Sequence, residues 1–144
     1  MKKIAILIIA AALGFGYIQE KDFFLPAISS WSNGSDSAIQ TAYTNRQSDL
    51  QVQGAGVVTR ILPDDQEGSR HQKFILKLES GQTLLISHNI DLAPRISGLR
   101  KGDTVEFYGE YEWNPKGGVI HWTHDDPDNR RPGGWLKHKG SIYR

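Results

Sequence analysis

The stretch Asp103 to His124, "DTVEFYGEYEWNPKGGVIHWTH", decides how this chain folds. Val105, Phe107, Tyr111 and Trp113 alternate with Glu106, Tyr108, Glu110 and Glu112, the period-two mark of a strand with one buried face. Asn114-Pro115-Lys116-Gly117 then supplies turn formers, and the chain returns through a β-branched and aromatic run. With residues 114–117 as a four-residue connection, Trp113 faces Gly118, Tyr111 faces Ile120 and Glu110 faces His121. That register keeps the large apolar side chains together, whereas a slip of one residue scatters them over both faces.

The same alternation recurs upstream, where Phe74, Leu76 and Leu78 are spaced by Lys73, Ile75 and Lys77. Turn signals at short intervals divide the chain into five principal strands near 51–62, 71–79, 82–88, 103–113 and 117–124, with a short sixth near 134–143. Only "IDLAPRISGL", between the third and fourth, has room for a helical turn, and Pro94 limits it. Gly54 and Gly56 in the long first strand fit a sharp bend at a barrel corner. The expected class is all-β, a small five-stranded OB-fold-like barrel, because closure removes the exposed edges of short strands. Another small barrel or a twisted meander is the alternative.

Upstream of this unit lie two different compositions. Residues 1–20 place Lys2 and Lys3 before an uncharged run from Ile4 to Ile18, the layout of an export signal or membrane anchor. As a helix that run is about 22 Å long at 1.5 Å per residue, short of the roughly 30 Å hydrocarbon core, which favours a cleaved signal. The lysines orient the remainder outward, into the periplasm or beyond. Residues 21–49, rich in Ser, Asn and Gln, read as a flexible spacer, and residues 50–144 as the barrel domain.

A chain of 144 residues with 38% apolar content suits one compact core. Its 17 Lys and Arg against 16 Asp and Glu lack the basic excess of a dedicated nucleic-acid binder. The absence of cysteine excludes disulfides, thiolate metal sites and a cysteine nucleophile. No serine-nucleophile, phosphate-cradling or dinucleotide motif occurs.

The chemistry-bearing residues concentrate in "HWTHDDPDNRR", residues 121–131. On a strand His121 and His124 project to opposite faces, so they do not chelate one ion together unless the strand breaks. Glu110 opposite His121 is a candidate acid–imidazole pair, and an adjacent carboxylate favours the imidazolium. A metal-dependent hydrolase of phosphodiesterase or nuclease type would gather His71, His88, His121, His124 and Asp125 at one barrel rim around zinc or another divalent ion. Glu110 would then act as base, with Arg70 or Arg95 holding an anionic oxygen. Asp125, Asp126 and Asp128 offer oxygens to calcium without the usual spacing. The competing reading is a binding module for an anionic polymer, nucleic acid or glycan, using Tyr108 with Arg70, Arg95, Arg130 and Arg131. Trp122 is assigned to the core with Ile120. No protein partner is implied.

The blocks "EGSRHQKFIL", "ISHNIDLAPRI", "GDTVEFYGEYEWNPKGGVIHWTH" and "GGWLKHKG" resemble a bacterial family catalogued as domain of unknown function 3465. The resemblance runs from about Gly54 to Tyr143 and implies a domain boundary and an exported context, without a mechanism.

Overall fold

The computed structural model describes residues 35–144; the expected signal or anchor at 1–20 and the spacer as far as residue 34 lie outside the described residues. Among the described residues seven strands follow one helix, α1, at residues 35–44. The strands are β1 (Leu50–Ile61), β2 (His71–Lys77), β3 (Thr83–Asn89), β4 (Thr104–Glu112), β5 (Val119–His121), β6 (Trp135–His138) and β7 (Ser141–Tyr143). They order as β1-β2-β3-β5-β4-β6-β7, and β1 also pairs with β4. The first five therefore close into a barrel, with β3 parallel to β5 and the other barrel pairs antiparallel. This is the strand order of an OB barrel.

Closure depends on β1 serving two neighbours. Leu50 to Val57 pair with Tyr111 to Thr104 of β4, while Val57 to Ile61 pair with Lys77 to Phe74 of β2. A register shift between Val58 and Arg60 marks a bulge at the bend. Glycine eases close packing beside it: a Cβ on Gly56 would lie 3.0 Å from the Lys77 carbonyl oxygen, and one on Gly54 2.8 Å from Phe107 Cζ. The interior is filled by alternate residues, with Phe74, Leu76, Leu84, Ile86, Val105, Phe107, Tyr111, Ile120 and Leu136 all fully buried.

The hairpin register is as expected, with Glu110 opposite His121 and Tyr111 opposite Ile120. β5 is shorter than the expected 117–124, because Trp122 adopts φ 59° and turns the chain off the sheet. After an excursion through 122–134 the chain returns as β6, which pairs with Val105 to Tyr108 on the edge of β4 whose far half holds β5. The short sixth strand resolves into the hairpin β6–β7.

The second half of the expected spacer is a packed helix. In α1, Asp36, Ile39, Ala42 and Tyr43 share one face by the i, i+3, i+4 rule; Ile39 and Ala42 are fully buried, and Asp36 is 8% exposed. The Asp36 carboxylate accepts the Ser80 N–H at 3.2 Å, and the Tyr43 hydroxyl donates to Pro115 O at 3.0 Å. Trp113 Nε1–H donates to Tyr43 O at 3.1 Å, with the two rings stacked at 6.4 Å. The helix so caps the barrel end formed by the β2–β3 and β4–β5 turns. It stops in a Schellman turn, with Gln47 N–H on Ala42 O, Arg46 N–H on Tyr43 O, and Arg46 at φ 53°. The compact unit thus begins at Ser35 instead of Leu50.

At the opposite end no helix forms between β3 and β4. A single turn, Ala93 N–H to Asn89 O at 3.1 Å, precedes an extended run. Gln72 holds that run by donating to Ile96 O at 3.0 Å and accepting from Ile96 N–H at 2.9 Å, which seats Ile96 in the core.

Candidate functional site

The histidines at this second end do not assemble into one centre. His88 points into the barrel and is fully buried. Its Nε2 lies 2.9 Å from the Pro94 carbonyl oxygen and its Nδ1 2.7 Å from Thr123 Oγ1. A carbonyl only accepts, so Nε2 carries the proton, and Nδ1 receives the hydroxyl hydrogen of Thr123. Burial pushes the His88 pKa down from 6.5, the Pro94 hydrogen bond opposes this, and His124 and His71 push it further down. His88 is therefore a neutral, doubly bonded core imidazole with no nitrogen left for a metal.

The other proposed ligands face elsewhere. His124 donates Nδ1–H to the Asp125 carbonyl at 2.7 Å and packs its ring 4.7 Å from that of Trp122. His71 Nδ1 sits 4.0 Å from Asp65 Oδ2. The Asp125 side chain is 69% exposed, with Arg144 Nε 3.9 Å away. Among the described residues no three His, Asp or Glu side chains are placed to hold a metal ion. This corrects the expected rim of His71, His88, His121, His124 and Asp125: alternation sends His88 inward and His71 and His121 outward, and the turn at Trp122 carries His124 and Asp125 off the strand.

Glu110 and His121 are Cα partners, yet their side chains choose other neighbours. Glu110, 11% exposed at its side chain, takes the guanidinium of Arg131, and His121 Nε2 lies 3.2 Å from Glu112 Oε2, out of hydrogen-bond alignment. The expected acid–imidazole pair is thereby replaced by an ion pair from the 122–134 excursion. Arg131 also stacks 4.4 Å over the Trp122 ring, so Trp122 is half-buried beneath a cation instead of joining Ile120 in the core. Asp126 fixes this loop by accepting the backbone N–H groups of Asp128, Arg130 and Arg131 at 3.0, 2.8 and 3.0 Å. The bonds from Asp128, Arg130 and Arg131 hold its carboxyl below the usual range. Gly134 closes the loop against the carbonyl oxygens of Trp122 and Tyr108, where any Cβ would clash.

Most of the arginines expected to meet an anion are already paired. Arg70 Nε and N–H bond the two oxygens of Asp91 at 2.8 and 2.9 Å, and Arg95 pairs with Asp64. Arg130 is exposed, and Tyr108 is half-buried with its ring tilted 6.1 Å from that of Trp135.

Uncompensated cations lie instead on the outer face of β1, β2, β3 and β5. Alternation turns Lys73, Ile75 and Lys77 of β2, Leu85 and Ser87 of β3 and Val119 of β5 outward. Successive pairings set Arg60, Ile75, Leu85 and Val119 in one row across four strands, and Val57 beside Lys77. Among the described residues no carboxylate lies within 4.0 Å of Arg60, Lys73 or Lys77. The alternation of Lys73, Ile75 and Lys77 was visible in sequence, but their neighbours across the sheet follow only from the register.

A closed five-stranded barrel of OB topology, capped by a helix and carrying a cationic outer face, defines a small OB-type domain. The chain belongs to the DUF3465 family, described as a protein of unknown function, whose model matches residues 23–144. The match takes in α1 as well as the barrel. No curated protein matches the chain.

Proposed function

We propose that this protein is an exported binding module that holds an anionic ligand, polymer or surface, on the outer face of β1–β2–β3–β5. The observation that carries the reading is the row Arg60-Ile75-Leu85-Val119 flanked by Lys73 and Lys77, three cations without carboxylate partners around an aliphatic stripe. OB barrels commonly use the face of their second and third strands for binding, with basic groups meeting phosphates or acidic sugars. The apolar run from Ile4 to Ile18 behind Lys2 and Lys3 supports export to the periplasm, either free or still anchored. A metal-dependent hydrolase has no comparable support, since its donors point in different directions.

The test is binding of the purified protein to immobilised heparin, used as a polyanion probe, across a salt series. Binding is expected to weaken as salt rises and to fall in Lys73→Glu and Lys77→Glu, while Arg70→Ala, whose cation is already paired, leaves it nearly unchanged. Binding insensitive to both lysines would reject the assignment of this face.

A further inference from the structure

The face just described is specific about the kind of anion it suits. Its outward positions on β1, β2, β3 and β5 carry no Phe, Tyr or Trp, so it lacks the aromatic platform on which bases or sugar rings stack. What surrounds the cations is aliphatic. Val57, paired with Lys77, is 44% exposed. Ile75, Leu85 and Val119 extend the apolar surface across three strands, roughly 10 Å at about 4.8 Å per strand. Carboxylates stay at the margin: Glu112 ends the row on β4, opposite Val119.

We propose that the ligand is an anionic lipid surface, a bilayer whose phosphate-bearing headgroups meet Arg60, Lys73 and Lys77 while Val57, Ile75 and Leu85 enter the headgroup–acyl boundary. This deepens the anion-binding reading and rests on it. A soluble polyanion uses the three charges and leaves the exposed aliphatic groups in water; a lipid surface uses both. Lysine suits the role, because its methylene stem lies along apolar groups while the ammonium reaches the headgroups. Each basic residue near an anionic bilayer contributes about a fivefold increase in partitioning, and each buried methylene adds to it. A few such residues suffice for reversible binding.

The experiment uses a chain beginning at Phe23, which omits the apolar run that would itself enter a bilayer. It keeps every residue of the core, all of which lie between Ile39 and Leu136. Its partition is measured into vesicles of phosphatidylcholine alone and of phosphatidylcholine with phosphatidylglycerol, with heparin binding and a thermal melt run in parallel. The wild type is expected to bind only the mixed vesicles, and Lys73→Gln with Lys77→Gln to lower that partition about 25-fold. Val57→Ser with Leu85→Ser should abolish vesicle binding, leave heparin binding intact, and keep a cooperative melt. Heparin binding without vesicle binding would overturn the lipid proposal and spare the anion-binding reading. Equal binding to neutral vesicles would likewise overturn it, and binding to neither probe would overturn both.

Discussion

His88→Leu tests the buried polar layer directly. The substitution keeps a side chain of similar size but removes the acceptor for the Thr123 hydroxyl and the donor for the Pro94 carbonyl. Each buried group left unpaired costs about 1–3 kcal/mol, and the imidazole's own desolvation is recovered in part, so a net loss of about 2–4 kcal/mol is expected at pH 7.5. In a domain of this size that lowers the melting temperature by roughly 10 °C. The pH dependence supplies a second readout. The folded-state pKa of His88 lies below its unfolded value of 6.5, so between them the unfolded chain binds more protons. Stability from this group is complete above pH 6.5 and declines as pH falls, by up to about 1.4 kcal/mol per unit. Urea unfolding of wild type and variant from pH 7.5 to 5.5 should show two lines that converge, the wild type losing more. Thr123→Val in the same chain should cost less in the His88→Leu background than alone, because the orphaned hydroxyl is gone. Parallel lines, together with a cost below about 0.5 kcal/mol, would refute a neutral, doubly bonded imidazole.

Other consequences follow from the same contacts. Ile39→Ala, in a fully buried site on α1, should destabilise the domain by about 2–5 kcal/mol; an effect near zero in urea unfolding would mean that the helix is not part of the cooperative unit. Arg131→Met removes the cation over Trp122 and leaves Glu110 without its partner, so stability should fall by about 1–3 kcal/mol and tryptophan emission should change; an unchanged spectrum would show that the stack is not populated. Asp103 accepts from His138 Nε2 at 2.8 Å, and this bond first, then the Arg100 N–H, lowers its pKa. Its contribution is present above the unfolded carboxylate pKa and lost as pH falls through the folded one, so Asp103→Asn should flatten the acid limb of the unfolding curve below about pH 4. Elemental analysis of purified protein should find no stoichiometric zinc, and chelator should leave the melting temperature unchanged; one zinc per chain would restore the histidine rim.

The barrel was legible because its strands alternate in hydrophobicity and its turns are punctuated. Phe74, Leu76 and Leu78 announced an inward face, and the hairpin register followed from keeping Tyr111 with Ile120. Helix α1 was not legible, since "SDSAIQTAYT" has only Ile39, Ala42 and Tyr43 to mark a face, and its Ser and Thr are weak helix formers. Its stability comes from the barrel end it covers, which is tertiary information. The histidines misled for a related reason. Their density in sequence suggested convergence, but one strand distributes neighbours to opposite sides, and a left-handed residue at Trp122 redirects the following chain.

That redirection separates two uses of polar residues in this barrel. The 122–134 excursion brings Arg131 onto Glu110 and Thr123 onto His88, which binds the groups most suggestive of catalysis into internal pairs. Holding Trp122 at φ 59° costs of order 1–3 kcal/mol, and the bonds to Asp126, the Arg131 stack and the close seat of Gly134 offset it locally. The strain is thus explained by fold closure: it moves the chain from β5 to β6 along a single edge of β4. Arg60, Lys73 and Lys77 have no such internal role. A lysine that supports neither the core nor an ion pair contributes little to stability, so removing its charge should leave the melt unchanged, and under the proposed anion-binding reading the same variants should lower heparin binding.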